Sequence, residues 1–486
     1  MAAGAHMLRF TTAVDDAFIS FRVAKHWVEY GLPLYNPGIV EWVPTNFLWV
    51  SILAGMHGVL PWSMPTLAQI LGGICGLITI ILLLTTFPGF EARRLSIYAA
   101  LFCAGSAAWA SWPLSGMETT FFALALLAGV RWFIHYHDSG RLRDIVLTGL
   151  AWGLATLIRP EGAFFFGVSF LFLGMASRNW RHLGWFSLVF VFLVLLQVIY
   201  LVVVFGSVLP NSYYTKMQGL SNLGRGGEHL LHIIKIYHLG YFLPLMIVPA
   251  FSAQWRKLTA YLGLLILIWA GWVMVIGGDF MPFHRFLHPI WPVICLLFGL
   301  GLYLLEERLA KWCPSARWIW RLSAGAVLLV AVGLWSQLSF QGSERDRYLT
   351  VAQEESARAT IGKWLAARYS PTDWLAVKPA GIIPYYSNMQ TIDFFCLTDR
   401  KAAQTGQWVQ AAWTGHQRMN AQRIHEIAPR VVILDEHLYP WESLPPPGYT
   451  DPNHGRTWLQ DPRTRQYKPV RAEIQPGQWL NYFERN

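Results

Sequence analysis

The sequence is short of charge. Only 14% of its 486 residues are Asp, Glu, Lys or Arg, where a soluble globular domain carries about 25%. With 54% hydrophobic residues and a mean hydropathy of +0.35, that shortage excludes an ordinary water-soluble enzyme and a disordered chain. Cysteine is scarce as well. Of the five, Cys75, Cys103 and Cys295 fall in apolar runs, Cys313 in a basic loop and Cys396 alone in the polar C-terminal part. A single cysteine there forms no bridge within that part, which excludes a disulfide scaffold. The same part lacks a glycine-rich nucleotide loop and a cysteine cluster. Acidic residues are missing from the middle of every apolar run, and Lys235 is the only clear mid-run cation. Pumps and transporters keep ionisable groups near the midplane, so this distribution points away from them. The net charge of +10 would suit nucleic acid in a soluble protein. Here the excess sits largely in short loops that fix topology, and no nucleic-acid partner is expected.

What is present reads as a polytopic α-helical membrane protein embedded in a lipid bilayer. Its 25 Trp, 19 Tyr and 29 Phe suit two lipid–water interfaces, where amphipathic rings collect. Ten apolar runs of spanning or near-spanning length occur at 66–86, 95–112, 117–135, 144–158, 163–176, 184–205, 229–250, 258–276, 287–305 and 318–338. The loops between them alternate in charge. One set, from Arg93 and Arg94 to Arg317 and Arg321, holds thirteen Lys and Arg; the other holds four, Arg159, Lys216, Arg225 and Arg285. By the positive-inside rule the first set is cytoplasmic, and ten crossings put both the N-terminal region and the C-terminal tail outside. The short apolar stretch 46–60 is then an interfacial or re-entrant helix. Residues 16–29 read as a helix lying on the membrane, with Arg22, Lys25, His26 and Glu29 on one face and Phe21, Ala24, Trp27 and Val28 on the other. Met1 to Val14 has one Arg and no apolar run, so it is neither signal peptide nor anchor. An outer N-terminal loop normally follows a membrane helix, and the expectation is that the chain lacks that helix.

The tail, 341–486, carries 17 basic and 15 acidic residues. It reads as an α/β domain, with a helix over 356–369, strands at 374–377, 391–394 and 431–434, and a late loop at 440–447. The division is therefore an outer loop with surface helices (1–65), a transmembrane domain (66–340) and an outer-side soluble domain (341–486).

Polar chemistry gathers at the outer surface, as an enzyme acting on a lipid-linked headgroup requires. Asp15 and Asp16 open the surface helix. Adjacent carboxylates can serve as general base and orienter; the alternative is an N-cap. Asp15 is the favoured base, with its carboxylate free toward a cavity. Arg159 and Glu161 join two runs too short to cross a ~30 Å core, which sinks their turn below the surface; the alternative is a structural ion pair. Lys216 follows Tyr213 and Tyr214, a pair fit for stacking on a sugar or for the lipid interface. Asp279, His284 and Arg285 share one short outer loop that suits a phosphate, a divalent metal or plain loop structure. Glu118 is a substrate contact or a helix-start acid.

Val14-Asp-Asp-Ala-Phe-Ile-Ser-Phe-Arg22, then Tyr35-Asn-Pro-Gly38 and Thr45-Asn-Phe-Leu-Trp49, resembles the first outer loop of type C membrane glycosyltransferases. Further matches follow in order: Gly116-Met-Glu-Thr119, Arg159-Pro-Glu-Gly162, Leu209-Pro-Asn-Ser-Tyr-Tyr-Thr-Lys216, Gly277-Gly-Asp-Phe-Met281 with Arg285-Phe-Leu287, and in the tail Ala380-Gly381, Tyr385-Tyr-Ser387 and Ile392-Asp393 with Leu397-Thr-Asp399. The set is most similar to the arabinofuranosyltransferase-like branch. Cys396 stands where that tail motif more often has Gly. The resemblance implies a polyprenyl-phosphate sugar donor, a pentose such as arabinofuranose, and a glycan or protein acceptor from the aqueous side. It implies catalysis by Asp15 and Asp16, phosphate binding by Arg159, Lys216, Arg285 and His284, and substrate contacts at Glu41, Asn46, Glu118, Glu161, Tyr213, Tyr214 and Asp279. No cofactor is required by it, a divalent metal being the open alternative. It also implies the bacterial inner membrane with the tail on the periplasmic side. The readings that compete are a lipid-linked sugar flippase, a mannosyl-type transferase of the same fold and a non-catalytic scaffold.

Overall fold

The computed structural model describes residues 2–87, 93–176, 179–216, 222–409, 418–445 and 455–486. In lipid a backbone can satisfy its polar groups only within itself, so the apolar runs become helices. Among the described residues six are long and apolar enough to cross a membrane: Met64–Thr85, Thr119–Ser139, Trp180–Phe205, Arg256–Ile276, His288–Trp312 and Pro314–Gln337. The other four of the ten runs are shorter or bent. The run at 95–112 gives a helix over Arg93–Ala104 only; Ser106 then caps a separate turn, Ala107–Ala110. The run at 229–250 breaks into Leu223–Ile236 and Leu239–Phe251, bent by 91° where His238 takes left-handed backbone (φ 51°). Leu142–Ile158 and Gly162–Ala176 reach about 26 and 22 Å at 1.5 Å per residue. Phe47–Val59 is a 13-residue apolar helix, too short to span. Where the sequence places the cytoplasmic side, Arg94 joins Glu306 and Glu307, and Tyr98 donates to Glu306 Oε2 at 2.8 Å, tying Arg93–Ala104 to Trp291–Trp312.

The surface helix runs Asp15–Tyr30, entered from extended Val14 and stopped by Gly31 at φ 76°. Its polar face is not the solvated face expected from spacing. Arg22 is 1% exposed because the tail packs over it, and His26 is buried with its ring on the Leu34 carbonyl, while Glu29 stays exposed. The guanidinium charge of Arg22 is met by the carbonyls of Tyr35 (2.8 Å), Met389 (2.6 Å) and Pro384.

The tail begins with a helix over Ser343–Ala366, well before residue 356. Its strands are β1 (Trp374–Val377), β2 (Gln390–Asp393), β3 (Gln407–Trp408), β4 (Arg418–Met419), β5 (Val431–Ile433), β6 (Tyr467–Gln475) and β7 (Gln478–Arg485). A mixed sheet has the order β2-β1-β5-β7-β6, with β2, β1 and β5 parallel and the β6–β7 hairpin antiparallel; β3 and β4 pair separately. Leu375, Val377, Val431 and Ile433 pack under Ile361 and Leu365, while Ala376, Ile392 and Val432 pack on Ile424 and Trp458. Both faces of the parallel strands are thus covered, which is why they read as short continuous apolar runs. The hairpin differs from the expected tail: β6 is polar, largely exposed and interrupted by Pro469, which hides the strand in sequence, while β7 buries Leu480, Tyr482 and Phe483. Part of the expected 440–447 loop lies outside the described residues.

Candidate active site

Four separate sequence motifs meet at the start of the surface helix. Pro160 disfavours helical backbone in the residue before it, so the helix Leu142–Ile158 ends and Arg159 turns out in extended conformation (φ −149°, ψ 132°). Its guanidinium donates to Glu118 Oε1 at 2.8 Å and Glu161 Oε1 at 3.1 Å. Asn46 Nδ2 donates to the other oxygen of Glu118 at 2.7 Å and to Ser20 Oγ at 3.0 Å. Gly277 and Gly278, both at positive φ, turn the chain out of Arg256–Ile276 and deliver Asp279 and Arg285. Arg285 donates to Asp16 Oδ2 at 2.6 Å and Asp279 Oδ1 at 3.1 Å. Arg159 and Arg285 both lie against the Phe286 ring, at 5.8 and 5.0 Å from its centroid. Gly116 closes the group. It sits at φ 81° with Phe21 and Ala17 where a Cβ would go, so Met117 can reach Arg285 (Sδ at 3.8 Å) while Glu118 faces Arg159.

The cluster holds four carboxylates, Asp16, Glu118, Glu161 and Asp279, around two guanidiniums. Asp16 is the acid most open to water: its side chain is 26% exposed, against 14% for Glu161, 2% for Glu118 and 1% for Asp279. Two buried atoms in the cluster, Arg285 Nε and Asp279 Oδ2, have no hydrogen-bond partner among the described residues. Buried polar atoms are rarely left so, and both can take a water or a polar group of a ligand.

Asp15 does not face this cluster, contrary to the expectation of a free carboxylate. Nor does it cap its own helix, whose N-terminus has no side-chain cap. Its oxygens accept from the backbone N–H groups of Gly381 (3.0 Å) and Ile382 (2.7 Å) in the tail, and its own N–H donates to Glu355 Oε1 at 2.8 Å. Adjacent helix residues diverge by about 100°, so when Asp16 turns to Arg285 its neighbour turns to the tail. Burial pushes Asp15 up to about 6 and Glu355 up to about 8, opposed in both by Arg358; Asp16 adds to the rise of Asp15, and Asp15 to that of Glu355. Arg358 donates to Glu355 and Glu436 and lies near Glu354, which in turn meets His437.

The folded protein therefore holds protons that the unfolded chain releases. The junction is most stable on the acid side and weakens as pH rises from about 4 to 4.5 towards neutrality. Glu355→Gln keeps a carbonyl oxygen and cannot ionise. It is expected to flatten the pH dependence of thermal unfolding between about pH 5 and about pH 8; an unchanged slope would place the extra protons elsewhere.

The remaining expected residues do not join the cluster. Glu41 accepts from Arg400 N–H (2.7 Å) and Asn211 Nδ2 (3.1 Å), bracing the outer loop on the tail. Tyr213 and Tyr214 meet edge to face at 5.7 Å on the short helix Asn211–Lys216, with Tyr213 exposed. The Lys216 side chain lies outside the described residues. His284 turns away from Arg285 onto His229 and His232. Burial, then those two histidines, push it down to about 2, so it stays neutral and brings no charge to a phosphate. Asp279 pairs with Arg285 rather than His284, and among the described residues no group of three or more His, Cys, Asp or Glu is arranged to hold a metal ion. Sequence reasoning gave no site role to Ser20 and Phe286, which lie inside the matched motifs, and missed Glu355 and Arg358. The last two stand at i, i+3 on the tail helix, a spacing that carries no hint of burial.

The tail, over residues 347–482, matches a family described as a domain of unknown function. No curated protein matches the chain. Among solved structures, the chain is similar to ArnT from Cupriavidus metallidurans bound to undecaprenyl phosphate (TM-score 0.62, 13% identity, 99% of this chain and 96% of that one). It is also similar to the archaeal oligosaccharyltransferase AglB from Archaeoglobus fulgidus in complex with an inhibitory peptide and a dolichol-phosphate (0.55, 10%, 88% and 68%). A third similar structure is the arabinofuranosyltransferase AftD from Mycobacteria (0.51, 16%, 100% of this chain and 39% of that one). The chain has the type C glycosyltransferase fold, a polytopic helical membrane domain followed by a C-terminal domain.

Proposed function

We propose that the protein is a membrane glycosyltransferase that moves a sugar, a pentose such as arabinofuranose, from a polyprenyl-phosphate donor to a glycan or protein acceptor on the outer side. The observation that carries this reading is Asp16, the most water-accessible acid of the cluster, held 2.6 Å from the buried Arg285. Two of the structures sharing the fold hold undecaprenyl phosphate and a dolichol-phosphate, lipids of the donor class. Asp16 takes the proton of the acceptor hydroxyl as its oxygen attacks the anomeric carbon, and the bond to the phosphate breaks with its electron pair passing to the polyprenyl phosphate. Negative charge grows on that phosphate as it leaves. Arg285, with its unpartnered Nε, and Arg159 beside it stabilise that charge in a site poor in water. The choice of Asp16 over Asp15 follows from where the two carboxylates point.

The thirteen-to-four split of loop cations supports a tail on the outer, periplasmic side of a bacterial inner membrane. A green fluorescent protein fused after Asn486 should stay dark and an alkaline phosphatase fusion should be active. Vesicles containing the protein should transfer labelled pentose from a polyprenyl-phosphate donor and not from a nucleotide sugar. A bright fluorescent fusion, or transfer from the nucleotide sugar alone, would overturn the reading.

A further inference from the structure

The tail helix Ile382–Ser387 is gripped at both ends by one face of the surface helix. Asp15 accepts from the N–H groups of Gly381 and Ile382 at its start. Arg22 donates to the carbonyls of Pro384 and Met389 at its end. Asp15 and Arg22 are seven residues apart, two helical turns or about 10 Å, which matches the length of the six-residue tail helix. The fit is tight: at Gly381 an added Cβ would lie 1.9 Å from the Asp15 carbonyl oxygen. Around this pair Tyr35 Oη donates to Ala380 O at 2.6 Å, and the Asn36 side chain pairs with both the N–H and the C=O of Thr391. The tail also reaches the other half of the cluster. Glu344 accepts from Phe283 N–H at 2.6 Å, two residues before Arg285.

We propose that Asp15 and Arg22 are positioning residues through which the tail domain sets the register of the surface helix, and so the contact of Asp16 with Arg285. The inference rests on the reading of Asp16 as the base. Asp15 touches no reacting group; it acts by holding its neighbour. A helix start fixed on one side by hydrogen bonds from two backbone N–H groups cannot slide or rotate without breaking them. An error of about 1 Å at a reacting group is enough to cost about 10²-fold in rate. The tail thereby governs turnover from residues outside the cluster, in addition to any part it takes in shaping the acceptor side.

The test uses the full chain in vesicles, with a polyprenyl-phosphate pentose as the probe donor and turnover expressed per folded molecule. Gly381→Ala is expected to lower kcat about tenfold or more with the donor KM unchanged. Arg22→Lys, which keeps the charge, should retain more activity than Arg22→Ala, and Asp15→Asn, which keeps one acceptor oxygen, more than Asp15→Ala. A purely structural role would reduce the amount of folded protein and leave kcat per folded molecule at the parental value; that result, with Asp16→Asn inactive, overturns the inference. Should Gly381→Ala fail to fold, the Asp15 and Arg22 pairs decide it by the same comparison. If Asp16→Asn is itself fully active, the assignment of the base fails first and this inference falls with it, so the two failures are distinguishable.

Discussion

Asp16→Asn is expected to fold normally and to lose transfer by about a hundredfold or more. A sugar hydroxyl is a poor nucleophile, and a positioned base contributes typically 10²–10⁴-fold. Asparagine keeps the size of the side chain and an oxygen that accepts from Arg285, so the cluster keeps its shape. Asp279 remains as counter-charge to Arg285 in the variant, so the buried guanidinium is not left unpaired. Loss of rate without loss of fold is the signature sought, in a purified protein whose thermal unfolding is followed beside its activity. Asp15→Asn should behave in the opposite order. It presents an NH₂ group to one of the two tail amides it now accepts from, leaving a buried donor unpaired at a cost of about 1–3 kcal/mol. Its effect on stability is thus larger than that of its neighbour, and its effect on rate arises through displacement.

Arg285→Ala is expected to reduce transfer by at least about tenfold, or 1.4 kcal/mol, through kcat more than donor KM, because the charge it stabilises grows as the phosphate leaves. Both arginine variants should also lose stability. Arg285→Ala strands Asp16 and the almost fully buried Asp279, and Arg159→Ala strands Glu161 and the almost fully buried Glu118. Breaking a buried pair in this way costs about 3–5 kcal/mol, so turnover is compared per folded molecule. Depth alone would rank Arg159 first for the phosphate. Contact with Asp16 and an unpartnered Nε rank Arg285 first. Parental kcat in Arg285→Ala would move the phosphate site elsewhere.

Much of this arrangement was legible in the sequence, and for physical reasons. Composition alone gives a polytopic helical protein with a polar C-terminal domain, because lipid admits few charges. The motifs that meet at the surface helix were each visible, since acid and base residues beside Pro and Gly turns stand out in an apolar chain. The tail strands at 374–377 and 431–433 followed from short apolar runs. What was illegible depends on contacts made across the fold. Helical spacing put Arg22 on a polar face but could not say that the face is covered by the tail. It put Asp15 and Asp16 at a helix start but could not say which one the tail takes. Hydropathy counted residues 229–250 as one run, whereas left-handed backbone at His238 bends it by 91°. His284 looked like a phosphate ligand by its place beside Arg285, yet its positive φ of 55° sends the ring to the other side of the loop.

The most direct test of the central claim is mass spectrometry of the surface glycans and glycoproteins of a strain lacking the gene, complemented with either the parental chain or Asp16→Asn. The deletion should remove pentose from one glycan or glycoprotein. The parental chain should restore it, and the Asp16→Asn chain, present in the membrane at the same level, should not. Unchanged glycans in the deletion strain, or full restoration by Asp16→Asn, would contradict a transferase whose base is Asp16.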